Sequence, residues 1–326
     1  MGRNILQPRE SIKPWVYPQL LEYKDSIRHA YWIHTEYNLK PDVQDYKVNT
    51  NDVERGTLTR AILGVSQIEV KVKRFWGDLF TYIPQFEIDH VGATFADSEV
   101  RHFDAYSHIL DILNLNTLFE TVGEIPAIRD RYNYLEKALS KDATTPVDIA
   151  IRVILFAELI ERVSLFGLFY LIMSFNKRQN TFKGLSNIVE ATTKEEEIHG
   201  AFGVEIFNIL KEENPYIGES SFIEDTLKNI FIKAEKAEMK ILDWVFEEGD
   251  LEHVTKEEVM NFVKLRFNEA LVDMDIDFRF ETDPELTEKN MWFYEELLST
   301  KEKDFFNKRV TDYSKGTRSV SKDDLF

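Results

Sequence analysis

Cysteine is absent from this chain, so its own residues can build no disulfide, no thiolate metal site and no cysteine nucleophile. Glycine and proline are scarce, with 13 and 9 residues among 326, which argues against a sheet-rich or low-complexity chain. Positive charge is in deficit. Lys and Arg number 40 against 58 Asp and Glu, a formal net charge of −18. A chain this acidic has no general attraction for phosphate backbones or anionic lipid, so neither nucleic acid nor a membrane surface is expected as a partner. The longest apolar run, Val163 to Phe175, spans 13 residues and contains Ser164, Gly167 and Ser174, too short to cross a bilayer. The first 25 residues carry no basic-then-apolar leader, and a cytoplasmic protein is expected.

What is present is helical periodicity. Pro8, Pro14, Pro18 and Pro41 cut the first 50 residues into short pieces, with a helix expected around 18–30. Beyond residue 54 apolar residues recur at helical spacing. Long helices are expected at 54–78, 86–115, 147–176 and 184–212, and further ones at 221–247, 255–275 and 286–297. Pro84, the Thr121–Pro126 stretch, Thr144-Thr145-Pro146 and the polar stretch Asn176–Lys183 separate them. The reading is all-α, with residues 1–308 as one helical domain and 309–326 as a flexible, polar tail.

A carboxylate three residues before a histidine places both side chains on one helix face, where they can share an ion. The pattern alone is weak, since about one match is expected by chance from this composition. Four occur: Glu87/His90, Glu99/His102, Glu196/His199 and Asp250/His253. The last follows Gly249 at a turn and reads as a solvated helix cap. His90 lies roughly 180° round the helix from Glu99, among Thr94, Asp97 and Arg101, and this face reads as solvent face.

The other two pairs interrupt apolar stripes. One stripe runs Phe95, Glu99, His102, Tyr106, Ile109; the other runs Ile188, Thr192, Glu196, His199, Gly203, Ile206, Leu210. Two further stripes, Ile62-Val65-Glu69-Val72-Trp76 and Ile154-Ala157-Glu161-Leu165-Leu168, each carry one carboxylate. Burying an ionised carboxylate costs several kcal/mol, in order of magnitude, unless positive charge compensates it. Buried salt bridges would need cations on the same stripes, and only Lys73 is positioned to supply one. Four Glu and two His on four helices form instead the donor set of a carboxylate-bridged dinuclear centre in a ferritin-like bundle. Hard oxygens with imidazoles suit manganese or iron. Glu158 shares much of the Glu161 face. Glu161 is the more central and is preferred, with Glu158 kept as an alternative.

The stretch Ala96-Asp97-Ser98-Glu99-Val100-Arg101-His102-Phe103-Asp104-Ala105-Tyr106 resembles the radical-generating small subunit of class I ribonucleotide reductase, in which Glu-x-x-His is followed one turn later by the radical tyrosine. Lys194-Glu195-Glu196-Glu197-Ile198-His199 resembles the family's second ligand motif. The likeness runs from about residue 28 to the C-terminus. It implies that the oxidising equivalent rests on the metals or Tyr106 and passes through Trp32 and Tyr313 to a cysteine of a separate large subunit. It further implies that the tail docks on that subunit and that the small subunit is a homodimer.

The sequence departs from the family pattern where Glu69 replaces an Asp, Leu165 a Phe, and Glu195 the Asp that links the tryptophan to a ligand histidine. These departures look most like the manganese-using branch, with Mn2 favoured over Fe2 or Mn/Fe. Lys73, one turn after Glu69, is read either as an offset to ligand charge or as a guide for an anionic oxidant such as superoxide. The rival reading is a stand-alone ferritin-like dimetal oxidase or monooxygenase, which needs neither the Trp32-to-tail route nor a docking peptide. A metal-storage protein would have no use for Tyr106 beside the site.

Overall fold

The computed structural model describes residues 3–72, 74–139 and 143–306. The chain divides into two compact units, residues 1–289 and 290–326; of the second, only 290–306 are described, as the latter part of a helix. Regular structure is helical, with no strand among the described residues. The principal helices are α1 (Leu21–His29), α2 (Asp52–Val72), α3 (Phe86–Leu113), α4 (Pro126–Leu139), α5 (Pro146–Leu155), α6 (Phe166–Gln179), α7 (Lys183–Glu213), α8 (Ser221–Val245), α9 (Lys256–Asp273) and α10 (Pro284–Phe306). A π-helical stretch, Phe156–Ser164, joins α5 to α6.

Local chemistry fixes the helix ends. Thr145 and Asp148 form a reciprocal capping box around Pro146, which opens α5. The hydroxyls of Ser220 and Thr255 accept the N–H groups of Ile223 and Glu258 at the starts of α8 and α9. Asn114 and Asn180 close α3 and α6 in the left-handed conformation, with φ of 59° and 58°. No neighbouring side chain caps α7. Asp42 does so from a distance, accepting from the N–H of Gly184 at 3.2 Å and of Leu185 at 2.7 Å.

Helices α2, α3, α7 and the α5–π–α6 rod form the central bundle. Helix α2 packs on α3 and α6, while α7 packs on α3 and along the whole rod. Two glycines of α7 allow this close approach: a Cβ at Gly200 would strike Arg162, and one at Gly203 would strike Ala157. Around the bundle, α8 packs on α4, α9 and α2, and α9 covers the π stretch.

A π turn leaves backbone carbonyls without their usual partner. Arginines from the outer helices supply donors here. Arg266 Nε donates to the Arg162 carbonyl at 2.9 Å, and Arg131 Nη2 donates to the Ser164 carbonyl at 3.2 Å. Arg131 is itself paired with buried Glu238, to which the Ser164 hydroxyl donates at 2.9 Å. The π stretch is thus held from outside by two buried charge networks.

Several expectations need correction. The helix expected at 54–78 ends at Val72, and a separate short helix covers Phe75–Asp78. Its counterpart at 147–176 contains the π stretch, which helical periodicity cannot distinguish from α. The helix Pro126–Leu139 was not expected, because Pro126 was read as a break although proline is well suited to a first helical turn. Glu87 is not on a solvent face; it is fully buried. Its carboxylate accepts from the backbone of Val16 at 2.7 Å and Tyr17 at 3.1 Å and pairs with Arg9 at 2.9 Å, strapping the N-terminal segment to α3. His90 is exposed. Asp250 does cap, accepting from the Lys256 N–H at 2.7 Å. His253 is not solvated: it is half-buried 3.2 Å from the Ser174 hydroxyl, and burial pushes its pKa down to about 4.

Arg131→Met leaves Glu238 buried without its cation, so it is expected to cost about 3–5 kcal/mol of stability in urea unfolding. Lys240→Ala, which breaks the exposed pair with Asp130, is expected to cost less than about 1 kcal/mol.

Candidate metal centre

Glu69 rises from α2, Glu99 and His102 from α3, Glu161 from the π stretch, and Glu196 and His199 from α7. All six side chains are fully buried. Their donor atoms fall into two groups, each with its atoms within 4.8 Å of one another: Glu69, Glu99 and His102 in one, Glu99, Glu161, Glu196 and His199 in the other. Glu99 belongs to both and can bridge two ions. His102 Nδ1 lies 2.9 Å from Glu196 Oε1 and 3.8 Å from Glu99 Oε2; His199 Nδ1 lies 3.0 Å from Glu196 Oε2 and 3.3 Å from Glu99 Oε1.

The cluster is electrostatically unsatisfied. Among the described residues no Lys or Arg pairs with any of the six. Both oxygens of Glu69 and Glu99, Oε2 of Glu161, Oε1 of Glu196 and Nδ1 of His102 are buried without a directed hydrogen bond. Burial, then the repulsion of neighbouring carboxylates, raises Glu161 well above the ordinary carboxylate range; burial also raises Glu69 well above it, partly offset by His102. Glu99 is raised for the same reason, burial first and Glu196 next. Glu196 runs the other way: burial pushes it up, but Glu161, His199 and His102 together hold it below the usual range. Burial alone would lower His199, yet the Glu196 and Glu99 carboxylates lift it to about 9. Two divalent cations would resolve this excess of negative donors, and the oxygen-rich, imidazole-containing set fits manganese or iron.

Partners behind the donors fix their orientation. Glu195 accepts from His102 Nε2 at 2.7 Å. Ser98 donates its hydroxyl proton to the Phe95 carbonyl at 2.8 Å, so its oxygen is left to accept from His199 Nε2 at 2.9 Å. Both imidazoles therefore carry their proton on Nε2 and turn Nδ1 to the cluster. The Trp76 indole donates to Glu161 Oε1 at 2.8 Å. From the sequence Trp76 was read on the Glu69 stripe only as an apolar residue, Ser98 was missed, and Arg101 was read on the solvent face with His90 although it is buried against Glu195. A hydrogen-bonding indole leaves no trace in hydrophobic spacing, and Ser98 is marked only by standing next to Glu99.

Glu161 lies in the cluster and Glu158 does not. Glu158 is buried against Arg162 at 3.1 Å, and burial, opposed by Arg162, raises its pKa to about 7. Tyr106 is buried, one turn past His102; burial followed by the Glu69 charge raises its phenol well above the ordinary range, opposed by a hydrogen bond with Thr192. Trp32, 4% exposed, stacks on the His102 ring at 5.9 Å and 18°. Lys73, Tyr313 and the 309–326 segment lie outside the described residues.

A helical bundle holding four buried Glu and two buried His, with one carboxylate shared between two donor groups, defines the ferritin-like class with a dinuclear metal centre. Within that class the chain belongs to the family "ribonucleotide reductase, small chain", whose model matches residues 9–291. It is similar to "Probable ribonucleoside-diphosphate reductase small subunit 048L" of Invertebrate iridescent virus 3, 23% identical over 330 residues that cover 96% of this chain and 86% of that protein. The ribonucleotide reductase R2 subunit from Clostridium botulinum shares the fold with a TM-score of 0.72 and 17% identity, over 80% of this chain and 82% of that one. The dimanganese(II)-NrdF of Streptococcus sanguinis matches with a TM-score of 0.68 and 16% identity, over 85% and 96%.

Glu99→Ala or Glu196→Ala is expected to lose most bound metal in elemental analysis, whereas His90→Ala retains it. Glu195→Ala and Ser98→Ala are expected to weaken metal binding by about 10–100-fold. Because the metal-free His199 holds its proton up to about pH 9 and a ligating imidazole must be neutral, metal uptake should release protons below that pH and affinity should rise with pH. Affinity that falls as pH rises from 6 to 8 would contradict the assignment.

Proposed function

We propose that this chain acts as the radical-generating small subunit of a ribonucleoside-diphosphate reductase, with Glu69, Glu99, His102, Glu161, Glu196 and His199 holding two metal ions. The observation that carries the reading is the stacking of buried Trp32 directly on His102, which gives the cluster an aromatic outlet. When bound, the metal pair supplies a one-electron oxidant. The protein's own residues shape how that equivalent is held and moved. Glu195 keeps His102 in the Nε2–H form, its ring stacked with that of Trp32. The phenol of Tyr106 is buried beside Thr192 with the Glu69 charge acting on it, and its raised pKa favours keeping it reduced unless a group at the cluster accepts the proton. Trp32 is the outlet, and Tyr313 on the tail is the next named carrier towards a cysteine of the large subunit.

Manganese is the proposed metal, on the strength of Glu69, Leu165 and Glu195 at positions where the family commonly differs. Lys73 is proposed to draw an anionic oxidant towards the site, an effect that high salt would screen. A homodimer in the cytoplasm, with the 309–326 tail docked on the large subunit, completes the reading. No helix among the described residues is long and apolar enough to cross a membrane.

Tyr313→Phe should leave metal content and large-subunit binding intact and abolish nucleotide reduction, because Phe is not oxidised at a comparable potential. Deleting 317–326 should weaken co-elution with the large subunit. Full turnover in Tyr313→Phe would remove it from the route. A wild-type protein that does not bind a large subunit at all would favour the stand-alone oxidase.

A further inference from the structure

Trp32 cannot be the surface end of the route, since it is only 4% exposed, and its surroundings decide what lies beyond it. The carboxylate of Glu195 is fully engaged: Arg101 Nη2 donates to it at 3.0 Å and Nη1 at 3.3 Å, while His102 Nε2 takes the other oxygen at 2.7 Å. Arg101 Nη1 also donates to the Trp32 carbonyl at 3.2 Å. The Trp32 indole nitrogen is buried with no hydrogen-bond partner among the described residues. The ring is therefore fixed by its backbone and by stacking, and its N–H has no described base to take the proton. An oxidised Trp32 would keep its proton and its positive charge, and so would remain a strong oxidant.

Two tyrosines flank it, and their electrostatic settings are opposite. The exposed ring of Tyr31 lies under the Arg101 guanidinium at 4.5 Å, a charge that makes losing an electron harder. Tyr37 meets Trp32 edge-on, with ring centroids 5.7 Å apart and planes at 75°, and it is half-buried, so one side reaches solvent. Its charged neighbours are carboxylates: Glu36 and then Glu190 add to burial in raising its phenol pKa, with a smaller effect from Glu195, which Arg101 already pairs. Nearby negative charge eases removal of an electron from the ring.

From this geometry we infer that Tyr37 is a redox carrier between Trp32 and the surface, the position where electron and proton separate. The inference rests on the Trp32 reading above. Trp32, having given one electron to the oxidised centre, takes one electron from Tyr37. The phenolic O–H bond breaks, its proton goes to water at the exposed side, and a neutral tyrosyl radical remains. That radical is reduced in turn by one electron and one proton from the next phenol, which the proposed function assigns to Tyr313. The route thus gains a surface station built into the fold.

The test uses full-length, metal-loaded protein with its large subunit and nucleotide substrate, carrying the easily oxidised analogue 3-aminotyrosine at position 37. The expected result is a trapped aminotyrosyl radical by EPR that disappears in a Trp32→Phe background. Tyr37→Phe, which keeps the ring and its packing, should lower turnover at least about tenfold with metal content and large-subunit affinity unchanged, while Tyr31→Phe leaves turnover unchanged. A radical trapped at 313 but not at 37, with Tyr37→Phe fully active, overturns the Tyr37 step and leaves the Trp32-to-tail route standing. No radical at either position, with active wild-type protein, overturns the route itself. Equal radical yield at 37 without Trp32 overturns the order of carriers.

Discussion

The structure is organised around one electrostatic problem, four carboxylates and two imidazoles buried together in the middle of an apolar bundle. Left as ions, the carboxylates would repel one another across a few ångströms in a medium that screens poorly. The metal-free chain meets this by retaining protons, which is why Glu69, Glu161 and His199 are all raised. Divalent cations at the same place exchange those protons for charge compensation, so metal binding and proton release are one process. The arginines of the neighbourhood are used elsewhere. Arg101, Arg162 and Arg266 neutralise Glu195, Glu158 and Glu197, the carboxylates around the cluster, and among the described residues no Arg or Lys pairs with the six donors.

That separation explains much of the outer architecture. Glu161 stands on a π stretch, and the bulge is held because Arg131 and Arg266 satisfy two of its carbonyls. Gly200 and Gly203 let α7 press against the same stretch. Ser98 and Glu195 then set which nitrogen of each histidine turns inward. The chain of cause runs from outer helix, through bulge and hydrogen bond, to the orientation of a donor atom. The outlet towards Trp32 leaves from the same imidazole: the ring that Glu195 fixes stacks with the indole at 5.9 Å and 18°.

Which of these features could be read from sequence follows from what each depends on. Interrupted stripes such as Phe95-Glu99-His102-Tyr106 stand out because a buried charge breaks a pattern made by neighbours on one helix. The bundle was legible for the same reason. Glu158 against Glu161 was a narrower choice, because three-residue spacing gives both a similar face on an ideal helix, and only the more central place of Glu161 in the apolar run favoured it. Glu87 was misread because the residues that bury it, Arg9, Val16 and Tyr17, lie some seventy positions away. Trp76 and Arg101 escaped for a related reason: their value lies in directed bonds to residues far away in the chain, Trp76 to Glu161 and Arg101 to Glu195 and the Trp32 carbonyl, and spacing does not encode that.

The dinuclear centre is tested by anomalous X-ray diffraction from crystals of the manganese-loaded protein. Two manganese peaks per chain are expected, one among Glu69, Glu99 and His102 and the other among Glu99, Glu161, Glu196 and His199, with Glu99 between them. A single peak, or manganese bound only outside these residues, would contradict the dinuclear assignment.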